Sequence, residues 1–179
     1  MTTKIFTTAF LTLFVVLCNS QNKFELPKTI VLETEQDYKK YEGDIIKAAK
    51  WLEETDLDKE TNKRKEINDF LMKWIMGTSA VTVEIKEPLI NLCGENENLL
   101  ALFAASYSRN FLENKKSATK FTATRAGITS MINVYKKGIA VTKSTELEKA
   151  IKLYDQGKLD QYIKSKAFKT AERRITERC

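Results

Sequence analysis

The chain has 179 residues, 42 % hydrophobic and 30 % charged, a globular rather than a disordered composition. It contains no His, which removes every Ser-His and Cys-His nucleophile, and its two Pro and six Gly are too few breakers for an all-β fold of many turns. The net charge of +6 leans toward anionic partners without naming one.

Residues 1–20 have the three parts of a secretory signal: Lys4 is positive, Ile5 to Leu17 are mostly apolar, and small or polar residues follow. The run falls short of the about 20 apolar residues a bilayer core requires and is broken by Thr7, Thr8 and Thr12, so it reads as a removable leader. Ordinary cleavage wants small side chains one and three positions before the cut, and Ser20 and Cys18 supply them with Gln21 as the new start. Lipidation of Cys18 is the alternative; Leu17, directly before it, is bulkier than that processing prefers. The expected organisation is a leader over 1–20, an extended arm over 21–34 and one helical domain over 35–179, exported to the periplasm or beyond.

In the arm, Pro27 forbids a continuing helix and Thr29 to Leu32 are mostly β-branched. Thr34 stands three residues before Asp37, a capping-box spacing, and Tyr38, Tyr41, Ile45, Ala48, Ala49 and Leu52 follow at helical intervals. One helix of about 30 Å is expected over 35–54. After the charged run DLDKETNKRKE, Ile67, Phe70, Leu71, Trp74 and Ile75 make the cleanest apolar stripe in the chain, with Gly77 expected as a left-handed cap. Val81, Val83 and Ile85 alternate with polar residues as a short strand would, and its available partner is Thr29–Leu32. Pro88 would open at most a turn of helix.

From Asn98 to Leu112 the chain is apolar on nearly every side, the pattern of a helix inside a bundle. Ser117 to Lys136 reads as the next helix, its internal Gly127 tolerable where another helix packs close. Thr145 to Asp155 and a last helix from Lys158 complete a mainly α fold, an antiparallel array of five to six helices with one minor two-strand pairing. Gly77, Gly94, Gly138 and Gly157 all fall where periodic segments end.

The runs WLEETDLD, RKEINDFLMKWIMGTSAVTVEI, NLLALFAASYSRNFLEN and ELEKAIKLYDQGKLDQYI resemble a group of small exported helical proteins of Bacteroidota bacteria, over residues 45 to 163. The shared landmarks are aromatic and glycine positions rather than chemical groups. The resemblance implies an exported, compact helical protein of a bacterial envelope and carries over no catalytic residue.

Several local patterns point to chemistry and fall short of it. Ser117 and Lys120 have S-x-x-K spacing, but the companion elements of penicillin-recognising enzymes are missing and Ser117 reads as a helix N-cap. Asp56, Asp58, Glu60 and Asn62 alternate like the start of a calcium loop, yet Thr61 and Ile67 stand where Gly and a bidentate Glu are needed. Residues 150–163 have the Ala, Tyr, Gly spacing of a tetratricopeptide unit without a second copy. Glu53 with Glu54, and Glu95 with Glu97, are adjacent acids on charged connections, with nothing to mark one as the buried acid of a glycosidase. Trp51, Trp74, Tyr107 and Phe111 read as core.

The basic carboxyl-terminal run offers Lys164, Lys166, Lys169, Arg173 and Arg174 as anion contacts, against the plainer reading of cations favouring a helix end. Cys93 and Cys179 are a candidate disulfide, set against a buried apolar Cys93 and a free terminal thiol. No cofactor and no metal is expected.

The expected function is a non-enzymatic interaction or accessory module whose partner is an envelope protein or an anionic surface, not nucleic acid, with no transmembrane helix after processing. A carboxylate enzyme acting on cell-wall or other polysaccharide and an anion-surface module built on the terminal helix are the alternatives. Mass spectrometry of the native amino terminus is expected to give a chain beginning at Gln21; a diacylglyceryl mass on Cys18 would show a lipid anchor instead.

Overall fold

The computed structural model describes residues 23–166, which form a mainly helical domain. An arm over 23–34 leads into α1 (Glu35–Lys40), α2 (Glu42–Glu54), α3 (Thr61–Gly77), α4 (Glu87–Cys93), α5 (Glu97–Glu113), α6 (Lys120–Lys136), α7 (Thr145–Asp155) and α8 (Leu159–Lys166). Among the described residues eight helices replace the expected five or six, because one expected helix is split and the segment around Pro88 makes a helix of seven residues.

The capping box at α1 forms as its spacing predicts. Thr34 accepts from the Asp37 N–H, and the Asp37 carboxylate takes the Thr34 hydroxyl at 2.8 Å and N–H at 2.9 Å. These hydrogen bonds hold the Asp37 carboxyl below its usual range. The helix then stops at Tyr41 instead of running to Glu54. In an unbroken helix the Tyr38 carbonyl would accept from the Glu42 N–H; here Trp74 Nε1 donates to it at 2.8 Å and the Tyr41 N–H at 3.2 Å. The Tyr41 ring turns inward and meets Phe70 edge-on, with centroids 5.8 Å apart.

Helix α5 is the axis of the domain and touches α2, α3, α4 and α6. Leu99, Leu102, Phe103, Ala104, Ala105, Tyr107 and Leu112 are all buried, as a helix without a polar face requires. Helix α6 lies tight against it because Gly127 has no side chain: a Cβ there would come within 2.5 Å of the Phe103 ring and 3.0 Å of its carbonyl oxygen. Trp51, Trp74 and Tyr107 are buried and Phe111 is half-buried against the same core.

Three expectations are corrected. No strand forms among the described residues, and 81–86 has no regular structure; the arm's backbone bonds to the hydroxyls of Tyr38 and Tyr41, which take the place of a paired strand. Gly77 is the last residue of α3 and not a left-handed cap; its lack of a side chain makes room for the Tyr38 hydroxyl. Gly94, Gly138 and Gly157 do adopt positive φ. Helix α6 starts at Lys120 with Thr119, not Ser117, as its cap: Thr119 and Thr122 each bond the other's backbone N–H, so Ser117 is left outside the helix.

Among the polar residues buried with the core are Arg64, Asn96 and Ser144. Arg64 spreads its guanidinium over the carbonyls of Leu52, Thr55 and Asp56, the last at 3.2 Å, at the carboxyl end of α2. Burial pushes its pKa below the ordinary value, against the Asp56 charge. The Asn96 side chain bonds the Cys93 carbonyl and both the N–H and C=O of Thr142, while the Ser144 hydroxyl bonds the Leu92 carbonyl, tying α4 to the start of α7.

Two glycine substitutions should shift stability in opposite directions. Gly43→Ala faces open space within α2 and is expected to raise stability by up to about 1 kcal/mol. Gly127→Ala gains the same propensity but forces a methyl into buried Phe103, and is expected to lose about 1–2 kcal/mol net in urea unfolding.

Candidate functional site

The arm is fastened to α3 by Lys63 and to α1 and its end by two tyrosines. Phe24 is buried, Glu25 pairs with Lys63 at 2.8 Å, and the Tyr41 hydroxyl accepts from the Val31 N–H while donating to the Thr29 carbonyl at 3.1 Å. The Tyr38 hydroxyl donates to the Leu32 carbonyl at 3.2 Å. Between arm and helix is left a groove of about 690 Å³ whose floor and walls include Leu26, Pro27, Ile30, Leu32, Phe70 and Met76. Lys28, Glu66, Asp69 and Lys73 rim it. Met76 is 75 % exposed and Ile30 37 %, although both are apolar. Of the rim charges, Asp69 bonds Lys65 at 2.8 Å, whereas Glu66 and Lys73 form no ion pair or hydrogen bond among the described residues.

A second, polar hollow of about 270 Å³ lies at the junction of α2, α5 and α6, lined by Glu53, Arg109, Arg125, Thr129, Ser130 and Asn133 among others. Glu53 Oε1 accepts from Ser106 at 2.6 Å and Ser130 at 2.9 Å, and Oε2 accepts from the Arg109 guanidinium. Arg109 Nε also lies 3.6 Å from Glu113, which in turn pairs with Lys50 at 2.8 Å. Arg125 donates to Asp160 at 2.7 Å. Both oxygens of Glu53 are occupied by fixed donors, so it is built as a clasp joining three helices.

The residues expected to carry chemistry are dispersed. Lys164 is exposed, its Nζ 5.1 Å above the Phe121 ring. Lys166 closes α8, its side chain lying outside what is described; Lys169, Arg173, Arg174, Cys18 and Cys179 are outside the described residues altogether. Cys93 is buried, and burial pushes its thiol up to about 11, which leaves little reactive thiolate at neutral pH. Lys120 pairs with Glu84 at 2.5 Å rather than facing Ser117 across a helical turn. Asp56 pairs with Lys137 at 3.0 Å, and Glu60 sits at φ 46 at the start of α3. Among the described residues no group of acids, Cys and His could hold a metal ion. Glu54, Glu95 and Glu97 are exposed.

Sequence reasoning missed the groove, because the roles of Tyr38 and Tyr41 as hydroxyl clasps depend on where the arm returns. It also missed the Glu53–Arg109 pair, whose partners are far apart in the chain. The only local signal was an apolar Met76 beyond the end of the stripe.

The chain matches no family model, no curated protein and no solved structure. Fold and groove together define a mainly helical domain with a strapped-on arm, and no helix among the described residues is long and apolar enough to cross a membrane.

Glu53→Gln would set an amide against the Arg109 guanidinium and leave that half-buried cation only the longer contact with Glu113. A loss of about 1–3 kcal/mol is expected in thermal or urea unfolding. Pairing it with Arg109→Met in a double-mutant cycle should show less than additive loss.

Proposed function

We propose that the chain is an exported helical module that works by binding a partner protein in the groove between the arm and α3, rather than by catalysing a reaction. The observation that carries this reading is the position of Met76 and Ile30: apolar, exposed and rimmed by charge. Exposed apolar patches with polar rims mark interaction sites, because covering them returns the free energy of hydrating them. Glu53 supports the same reading from the other side. A glycosidase needs one carboxyl free to deliver a proton and a second facing it, whereas the oxygens of Glu53 are held by Ser106, Ser130 and Arg109. The leader expected over 1–20 and the resemblance drawn from the sequence support an exported partner.

A photo-reactive amino acid at position 76, in cells that naturally produce the protein, tests the proposal. A discrete protein adduct is expected from position 76 and none from position 90, where Ile90 is also exposed but away from the groove. Turnover of cell-wall polysaccharide by the purified chain, abolished by Glu53→Gln, would overturn it.

A further inference from the structure

The rim charges are not arranged at random along α3. Glu66, Asp69, Lys73 and Met76 all line the groove, and their spacing of three, four and three residues is the seam of a heptad. All four are exposed, and buried Ile67, Leu71 and Trp74 fill the side of the helix turned to the core. Helix α3 therefore has two working faces. One is satisfied by the core, and the other is a stripe of acid, acid, base and methionine.

That stripe is complementary to itself when reversed. Asp69 and Lys73 are placed symmetrically about the level of Leu71 in the chain, and so are Glu66 and Met76. We infer that the groove is occupied by a second copy of this chain, with the two α3 helices antiparallel about a two-fold axis at the level of Leu71. This geometry sets Asp69 of each copy opposite Lys73 of the other, twice, and it brings Met76 of each copy to the level of Glu66 in the other.

The arm gives Met76 somewhere to go. The bonds of Glu25 to Lys63 and of Leu32 to Tyr38, which contacts the end of α3 at Gly77, run the arm in the same direction as the helix. Leu26 and Pro27 therefore wall the groove near the Glu66 level, where the second copy's Met76 arrives. The i, i+4 bond between Lys65 and Asp69 is no obstacle, since both side chains are more than half exposed and such pairs contribute little. The charge pattern also selects against other occupants. A lipid surface or a polyanion asks for one sign of charge, whereas the rim has two lysines and two acids.

This inference rests on the interaction reading above and names its partner. Sedimentation velocity on the chain lacking residues 1–20, at concentrations up to about 1 mM, tests it. A reversible dimer is expected. Lys73→Asp or Asp69→Lys alone should weaken it about tenfold or more by setting like charges opposite each other. The double reversal, Asp69→Lys with Lys73→Asp, should restore it to near the original strength, and Met76→Ser should weaken it without altering the melting curve at dilutions where the chain is monomeric. A chain monomeric throughout, a dimer indifferent to the single reversals, or a double reversal that fails to restore it would each overturn the pairing. A monomer that still gives a discrete foreign adduct at position 76 would defeat self-pairing and leave the interaction reading standing; a monomer with no adduct would defeat both.

Discussion

Helix α5 is buried all round from Leu102 to Ser108, and that constraint sets the positions of its neighbours. With Leu99, Leu102, Phe103, Ala105 and Tyr107 spread around its circumference, it can be satisfied only by being surrounded, and α2, α3, α4 and α6 do so. A close approach is made at Gly127, where the absence of a side chain lets the α6 backbone come down on Phe103. Close packing of this kind makes the interior intolerant of added volume and leaves the variable features of the molecule to its edges.

The polar groups drawn inside serve that packing. Arg64 occupies the carbonyls left open at the carboxyl end of α2, Asn96 and Ser144 satisfy the turns around α4 and α7, and Glu53 gathers Ser106, Ser130 and Arg109 from α5 and α6. Each joins segments distant in the chain through hydrogen bonds that would be costly to leave unmade once buried. For Glu53 the partners are other side chains of the fold, Ser106, Ser130 and Arg109.

The arm follows a different logic. Its β-branched run has the composition of a strand, and no strand is offered to it; two tyrosine hydroxyls and one lysine hold it against helices instead. An arm fixed by a few points along a helix leaves a trough between them, and the trough keeps the apolar groups that a paired strand would have covered. The groove is thus a direct result of how the arm is attached.

Much of the fold was legible in the chain itself. The apolar stripe of α3, the all-round greasiness of α5 and the glycines at 94, 138 and 157 each act within one or two helical turns, where side-chain period and backbone freedom decide the outcome. The capping box at Thr34 is local in the same sense. The break at Tyr41, the missing strand pair and the shifted start of α6 were not legible. At Tyr41 a competing hydrogen bond came from Trp74, 36 residues away in sequence to the carbonyl it takes, and at α6 one threonine outcompeted a serine two positions earlier. The sequence by itself determined which segments would be helical and which side chains would seek the interior. Only the tertiary structure decided that Glu53 would be clasped, that the arm would lie on α3, and that Met76 would stay in water, because each depends on partners brought together by packing rather than by spacing.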